Sequence, residues 1–222
     1  VPFAVKHDFG HGMLAKAAVT KWQPPHGWAS QSDGWTSESP PIASEWTIES
    51  RGEGKCILRI VYSRFASTDR WDHELEGAKA ALSGFLRTLQ IYLTHFRGQR
   101  GTVRQCLVSS ANTEAEAWET LMTSLGLKGL RAGQRFTAPA DVPTLSGVVE
   151  YVSELPYDAL LRLEAPVPGI AAVGVFSCPC TMAGLNFYLY GEQPADTFAT
   201  ELPLWESWLS RKLPAPVEST VP

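Results

Sequence analysis

From Arg70 to Arg97 the chain reads RWDHELEGAKAALSGFLRTLQIYLTHFR, and this stretch limits the fold more than any other. Leu75, Ala78, Leu82, Phe85, Leu86, Leu89, Leu93 and Phe96 recur at steps of three and four, which places them on one face of a long helix. Glu76, Lys79, Ser83, Arg87, Gln90 and Thr94 fall largely on the other. Asp69 and Asp72 crowd the start, where carboxylates suit exposed N–H groups, and Gly98 follows the end. So wide an apolar stripe needs a surface to cover. The residues before it read almost wholly as strand, so the expectation is a helix laid across a curved antiparallel sheet.

Those strands are expected at 1–9, 13–22, 26–31, 43–50 and 55–65. Gly10-His11-Gly12 is read as the first turn, Pro24-Pro25 as a break and Arg51-Gly52-Glu53-Gly54 as a hairpin turn. Residues 32–41, with Trp35 among them, are loop by composition. In the fourth strand Trp46 and Ile48 alternate with Glu45, Thr47 and Glu49; in the fifth Cys56, Leu58, Ile60 and Tyr62 alternate with Ile57, Arg59, Val61 and Ser63.

A second unit begins near Gly101. Thr102–Ser109 reads as a strand, and Thr113-x-x-Glu116 is a capping-box pattern opening a helix through Leu125, with Trp118, Leu121, Met122 and Leu125 buried. Strands follow at 134–138, 145–153, 159–164, 170–176 and 184–190. A closing helix is expected at 197–213, contributing Phe198, Leu202, Trp205, Trp208 and Leu209, and the tail 214–222 is expected to be disordered. Each half thus ends as an antiparallel meander closed by an amphipathic helix. The domains are read as 1–98 and 101–213.

The net charge of −4 is uneven, but residues 1–98 carry 11 Lys/Arg against 10 Asp/Glu, so neither half offers a basic stripe for nucleic acid. No apolar run reaches the ~18–20 residues that span a bilayer, and no secretory leader is legible. Four cysteines in 222 residues do not make a disulfide framework, so a cytoplasmic setting is expected.

Residues 44–97, SEWTIES, RGEGK, CILRIVYSRF and WDHELEGAKAALSGFLRTLQIYL, resemble the C-terminal part of the Aha1-type (Hsp90 ATPase activator homologue) branch of the START-like, or SRPBCC, superfamily. FGHGMLAKAAVTKWQPPHGWA resembles the strand pair and Pro-containing turn of the same branch. Residues 102–213 resemble the superfamily only in the order of elements. The resemblance implies an α+β helix-grip fold, a curved antiparallel sheet wrapped around a long C-terminal helix with an apolar cavity between, in two tandem copies. It also implies a first strand and two short helices preceding residue 1. Family members mostly bind lipophilic small molecules; some act on polyketides and some contact Hsp90.

Candidate cavity residues are Trp46, Tyr62, Phe65, Trp71, Leu82, Phe85, Leu86 and Leu89, because lipophilic sites are mostly apolar with a few polar anchors. Tyr62 is the best anchor, since a buried hydroxyl needs a partner. Core filling is the competing account of each aromatic. Cys178-Pro179-Cys180 could meet Cys106 or a metal, but a second ligand pair is missing and adjacent thiols at a strand end explain the triplet. His7, Asp8 and His11 are read as turn residues; Glu45 and Glu49, candidate bases, are read as an outward face. No metal and no cofactor are expected.

The leading function is binding of a lipophilic small molecule without turnover. A polyketide cyclase-like or hydrolase-like enzyme using a cavity carboxylate or tyrosine is the alternative, and a homodimer or chaperone contact is a third.

Overall fold

A computed structural model describes residues 3–8, 14–32, 42–63, 69–177, 180–192 and 194–216. Two compact units divide the chain at Lys79/Ala80, inside the long helix.

In the first unit, strands β1 (Phe3–Asp8), β2 (Leu14–Gln23), β3 (Gly27–Ser32), β4 (Ile42–Ser50) and β5 (Cys56–Ser63) form an antiparallel meander in sequential order. The expected turn joins β4 to β5: Arg51 N–H donates to the Lys55 carbonyl at 3.0 Å, and Lys55 N–H to that of Gly52 at 2.9 Å. Glu53 reaches φ 51°, which Gly52 and Gly54 on either side accommodate by taking positive φ themselves.

Partners directly opposite in antiparallel strands share a face. The register places Trp22 opposite Trp28, Trp28 opposite Trp46 and Trp46 opposite Ile60, one row across four strands. The next row on that face holds Val19, Ser30, Ser44 and Tyr62. Simple alternation would set Val19 and Trp22 on opposite faces, three residues apart. A bulge between Val19 and Lys21 inserts the extra residue that brings both to the same side. Lys21 and Glu45 meet on the opposite face at 3.5 Å, so Glu45 is turned away from Trp46 as its alternation requires.

The helix α1 (Asp69–His95) crosses the division. The second unit continues through β6 (Gly101–Ser110), α2 (Glu114–Ser124), β7 (Arg135–Thr137), β8 (Ser146–Glu154), β9 (Tyr157–Ala165), β10 (Gly169–Ser177), β11 (Thr181–Tyr190), α3 (Pro194–Ala199) and α4 (Leu202–Lys212). Its sheet order is β6-β11-β10-β9-β8-β7, so first and last strands pair. Each unit's sheet is antiparallel and the class is α+β, as expected. Among the described residues no helix is long and apolar enough to cross a membrane.

The capping box is present in full: Thr113 Oγ1 accepts the Glu116 N–H, and the Glu116 carboxylate accepts the Thr113 N–H at 2.9 Å. It fixes the start of α2 so that Ala117, Trp118, Leu121 and Met122 turn onto one face of the sheet. There they share a core with Leu161, Val173, Leu185 and Phe187 from the strands and with Trp205, Trp208 and Leu209 from α4.

Two expectations are corrected at the C-terminal end. The single helix at 197–213 is two helices with a break at Thr200-Glu201. Pro203 explains the break: in α4 it falls in the first turn, where its missing N–H is harmless, whereas in one continuous helix it would lose a bond and clash one turn back. Disorder does not begin at Pro214, whose carbonyl accepts the Ala111 N–H at 2.8 Å; residues 217–222 lie outside the described residues.

The C-terminal half of the long helix makes a contact within the second unit that its apolar period does not announce. It docks on the outer face of the second sheet, with Ile91 8% and Phe96 6% exposed beside Leu160, Ile170 and Tyr190. Phe96 stacks on Tyr190 at 4.6 Å, Tyr92 lies 5.3 Å from the same ring, and the Arg87 guanidinium sits 4.1 Å from the centre of Tyr151. At 3.6 residues per turn, Ile91 lies about 180° around the helix from Leu82. The docked face is therefore the mixed one, and the apolar stripe of Leu82, Leu86, Leu89 and Leu93 points away from this sheet. The reason is what the sheet offers: Tyr151, Asp158, Arg162 and Tyr188 suit a face carrying Arg87, Tyr92 and His95 better than a run of leucines.

Candidate functional site

Among the described residues, the first unit's tryptophan row sets three indoles side by side on one sheet face. Trp28 and Trp46 stack with centroids 5.5 Å apart and planes 20° from parallel, a contact worth about 0.5–1.5 kcal/mol beyond burial. Trp22 extends the row and is 56% exposed, as is Ile48 at 43%. Gly27 makes the close approach possible, since a β-carbon there would stand 2.2 Å from the Trp46 carbonyl oxygen. The result is a groove of about 140 Å³, lined by Trp22, Pro25, Trp28, Trp46, Ile48 and Leu58. A cavity of ~150 Å³ accepts one benzene ring, so the groove takes one ring of a larger planar molecule.

Two residues along each strand, or about 6.7 Å, stands a row of hydroxyls. Ser30 and Ser44 hydrogen-bond to each other at 2.9 Å, and Tyr62 lies opposite Ser44. Partial desolvation pushes the hydroxyl of Tyr62, 38% exposed, further above its ordinary pKa; the group is neutral at physiological pH in any case and presents an O–H to this face. It has no hydrogen-bond partner among the described residues. An apolar row with a polar row beside it can hold a flat molecule by its faces and fix its orientation through oxygens along one edge.

Of the sequence-predicted cavity residues, Trp46 and Tyr62 come together on this face. Phe65 lies outside the described residues, as does the side chain of Trp71, although its backbone belongs to α1. Leu82 and Leu89 are half-buried, while Phe85 and Leu86 are 43% and 41% exposed, all on the side of α1 turned away from the second sheet. Sequence reasoning missed Trp22, Trp28, Ser30 and Ser44. A signal was there: Trp28-Ala29-Ser30 and Ser44-Glu45-Trp46 are the same alternation read in opposite directions, as antiparallel neighbours require.

The other polar candidates do not assemble. Glu45 and Glu49 are exposed on the first sheet, Glu45 paired with Lys21 and Glu49 with Arg51 at 3.1 Å. Cys106 points into the second unit's core, where burial first and the Glu206 charge second push its thiol to about 12, so it is inert as a nucleophile. Cys180 instead lies 3.9 Å from the Met182 sulfur, and Met182 alternates with the core residues Ala183 and Leu185, so Cys106 does not join it. Cys178 and the side chains of His7, Asp8 and His11 lie outside the described residues.

The inner face of the second unit is filled rather than hollow. Phe187, Phe198 and Trp205 are 0% exposed and Trp208 1%, with Phe187 4.6 Å from Phe198 and Trp205 5.6 Å from Trp208. An open cleft of about 650 Å³ lies elsewhere in that unit, between α2, the turn after it and the β8–β9 hairpin.

No family model and no curated protein matches the chain, so the Aha1-type branch gains no support. Several solved structures are similar. The crystal structure of DynU16, from the dynemicin biosynthetic locus, shares 14% identity at a TM-score of 0.35, over 93% of this chain and 80% of that one. The di-domain ARO/CYC BexL from the BE-7585A biosynthetic pathway shares 9% at 0.32, over 97% and 88%. The di-domain ARO/CYC StfQ from the steffimycin biosynthetic pathway shares 10% at 0.33, over 95% and 82%. Superpositions at this level do not fix a fold, so the functional reading rests on the chain's own residues.

Proposed function

We propose that the chain binds a planar, lipophilic small molecule on the tryptophan face of its first unit, without chemical turnover. The observation that carries this reading is the Trp22–Trp28–Trp46 row standing beside the Ser30–Ser44–Tyr62 row on one sheet face. Aromatic faces and a groove of about 140 Å³ supply the affinity for one ring, and the exposed Tyr62 hydroxyl, at the end of a row whose Ser30 is buried and bonded to Ser44, selects ligands with an oxygen on the adjoining edge. The filled interior of the second unit favours placing the ligand in the first. The reading of both units as helix-grip belongs to the same proposal; in the second it is supported by the pairing of first and last strands and by a closing helix packed on the sheet.

A thermal-shift comparison of 1,8-dihydroxyanthraquinone with a saturated fatty acid tests it, because a ligand that binds only the folded state raises the melting temperature. The anthraquinone is expected to raise it and the fatty acid to do so less. No shift with the anthraquinone would contradict the proposal.

One observation favours a second reading, cyclase-like turnover. The Tyr62 hydroxyl, exposed beside the tryptophan row and lacking a protein partner among the described residues, is placed to donate a hydrogen bond or a proton to an oxygen of a molecule on this face. Turnover of a linear polyketone surrogate, abolished in Tyr62→Phe, would establish it; binding without product would leave the first reading.

A further inference from the structure

The cleft of the second unit encloses about 650 Å³, inside the ~300–1,000 Å³ range of small-molecule sites. Its wall is built on Trp118 and Tyr157, whose rings are tilted by 38° with centroids 5.8 Å apart. Trp118 comes from the capped helix α2 and Tyr157 from the first position of β9, so both rings stand on regular elements. Met122, Leu130 and Val152 complete the apolar lining.

No described residue accepts the Trp118 indole N–H or hydrogen-bonds the Tyr157 hydroxyl, and neither atom is sealed from solvent, so both can be reached by a bound molecule. Two polar groups on an apolar wall are thus left with bonding capacity that a bound molecule would take up. The rim carries four charges. Lys128 is neutralised by Glu119. Arg131 has no ion pair among the described residues, while its backbone is fixed by the Arg131 N–H donating to Gln134 Oε1 at 2.7 Å. Glu154 also lacks an ion pair among the described residues.

We propose that this cleft is a second ligand site, for a planar aromatic monocarboxylate, independent of the tryptophan face of the first unit. The ring lies against Trp118 and Tyr157, and the carboxylate meets the Arg131 guanidinium, whose two parallel N–H bonds match its geometry. Glu154 on the same rim repels a second carboxylate, which restricts the ligand to one acid group.

Calorimetric titration of the full chain with 2-naphthoate, 2-naphthol and 2-naphthylmethylammonium tests the proposal. Naphthoate is expected to saturate one site, to weaken by about tenfold in Arg131→Gln as a charge-assisted bidentate contact should, and to be unaffected by Trp46→Ala. Naphthol is expected to bind more weakly than naphthoate and to be indifferent to Arg131→Gln. Arg131 is exposed, so its variant folds, and Trp118→Phe, which keeps a ring and removes the indole N–H, gives an independent loss of affinity. Absence of saturable naphthoate binding overturns the proposal. So does binding that Trp46→Ala removes and Arg131→Gln leaves intact, or a preference for the ammonium compound.

Discussion

Trp28 stacks on Trp46 directly across the β3–β4 register, their centroids 5.5 Å apart. Nothing in either strand alone requires this; the β3–β4 register and the close approach at Gly27 make the pair, and the bulge after Val19 adds Trp22 from β2 to the same row. The same relationship converts two residues of ordinary strand sequence into a flat surface with a groove beside it.

The two faces of α1 are predicted to differ sharply in their contribution to stability. Ile91 is 8% exposed and Leu93 is 51% exposed. Ile91→Ala is expected to destabilise the second unit by about 2–4 kcal/mol in urea unfolding, through lost burial and the cavity left behind. Leu93→Ala is expected to stay within about 0.5 kcal/mol. The reverse order would mean that the leucine stripe, not the mixed face, docks on the sheet.

Asp158 gives a pH prediction. Burial raises its carboxyl above the ordinary value and the Arg87 charge opposes that rise; Tyr188, itself raised by burial and by Asp158, faces it from β11. An acid whose folded pKa is raised holds its proton more tightly when folded. Its contribution is therefore fully present below the unfolded pKa of about 3.9 and is lost as pH climbs through the folded value. Asp158→Asn, which cannot ionise, is predicted to gain in melting temperature relative to the parent between about pH 4 and pH 7. A parent that gains on the variant over that range would show that Arg87 outweighs burial.

The capping box sets a smaller effect. Thr113→Ala removes the hydroxyl that accepts the Glu116 N–H and is expected to cost about 1 kcal/mol in denaturant unfolding. Thr113→Ser, which keeps the oxygen, should restore most of it. Equal losses in the two variants would place the effect elsewhere.

How much of this was legible depended on whether the signal was local. The hairpin at Arg51–Gly54, the alternation of Trp46 with Glu45, and the Thr113/Glu116 cap are set by neighbours in sequence, and the residues announce them. The long helix was legible as a helix. Its docking was not, because hydrophobic period reports the apolar face, and the second sheet takes the opposite one through Arg87, Ile91, Tyr92 and His95. The split at Thr200-Glu201 was concealed by a periodic pattern running straight through it, although Pro203 marked the place. At the candidate site Trp46 and Tyr62 stood out as single aromatics. Trp22 could not be placed with them, since one inserted residue before it reverses the face that alternation assigns.

The central claim, a planar ligand on the tryptophan face, is tested most directly by the affinity of 1,8-dihydroxyanthraquinone for the parent chain and for Trp28→Leu and Tyr62→Phe, read by calorimetry. Removing one stacked indole is predicted to weaken binding about tenfold, and removing the hydroxyl to weaken it less, about threefold, with folding intact by circular dichroism in both. Equal affinity in all three proteins would contradict it.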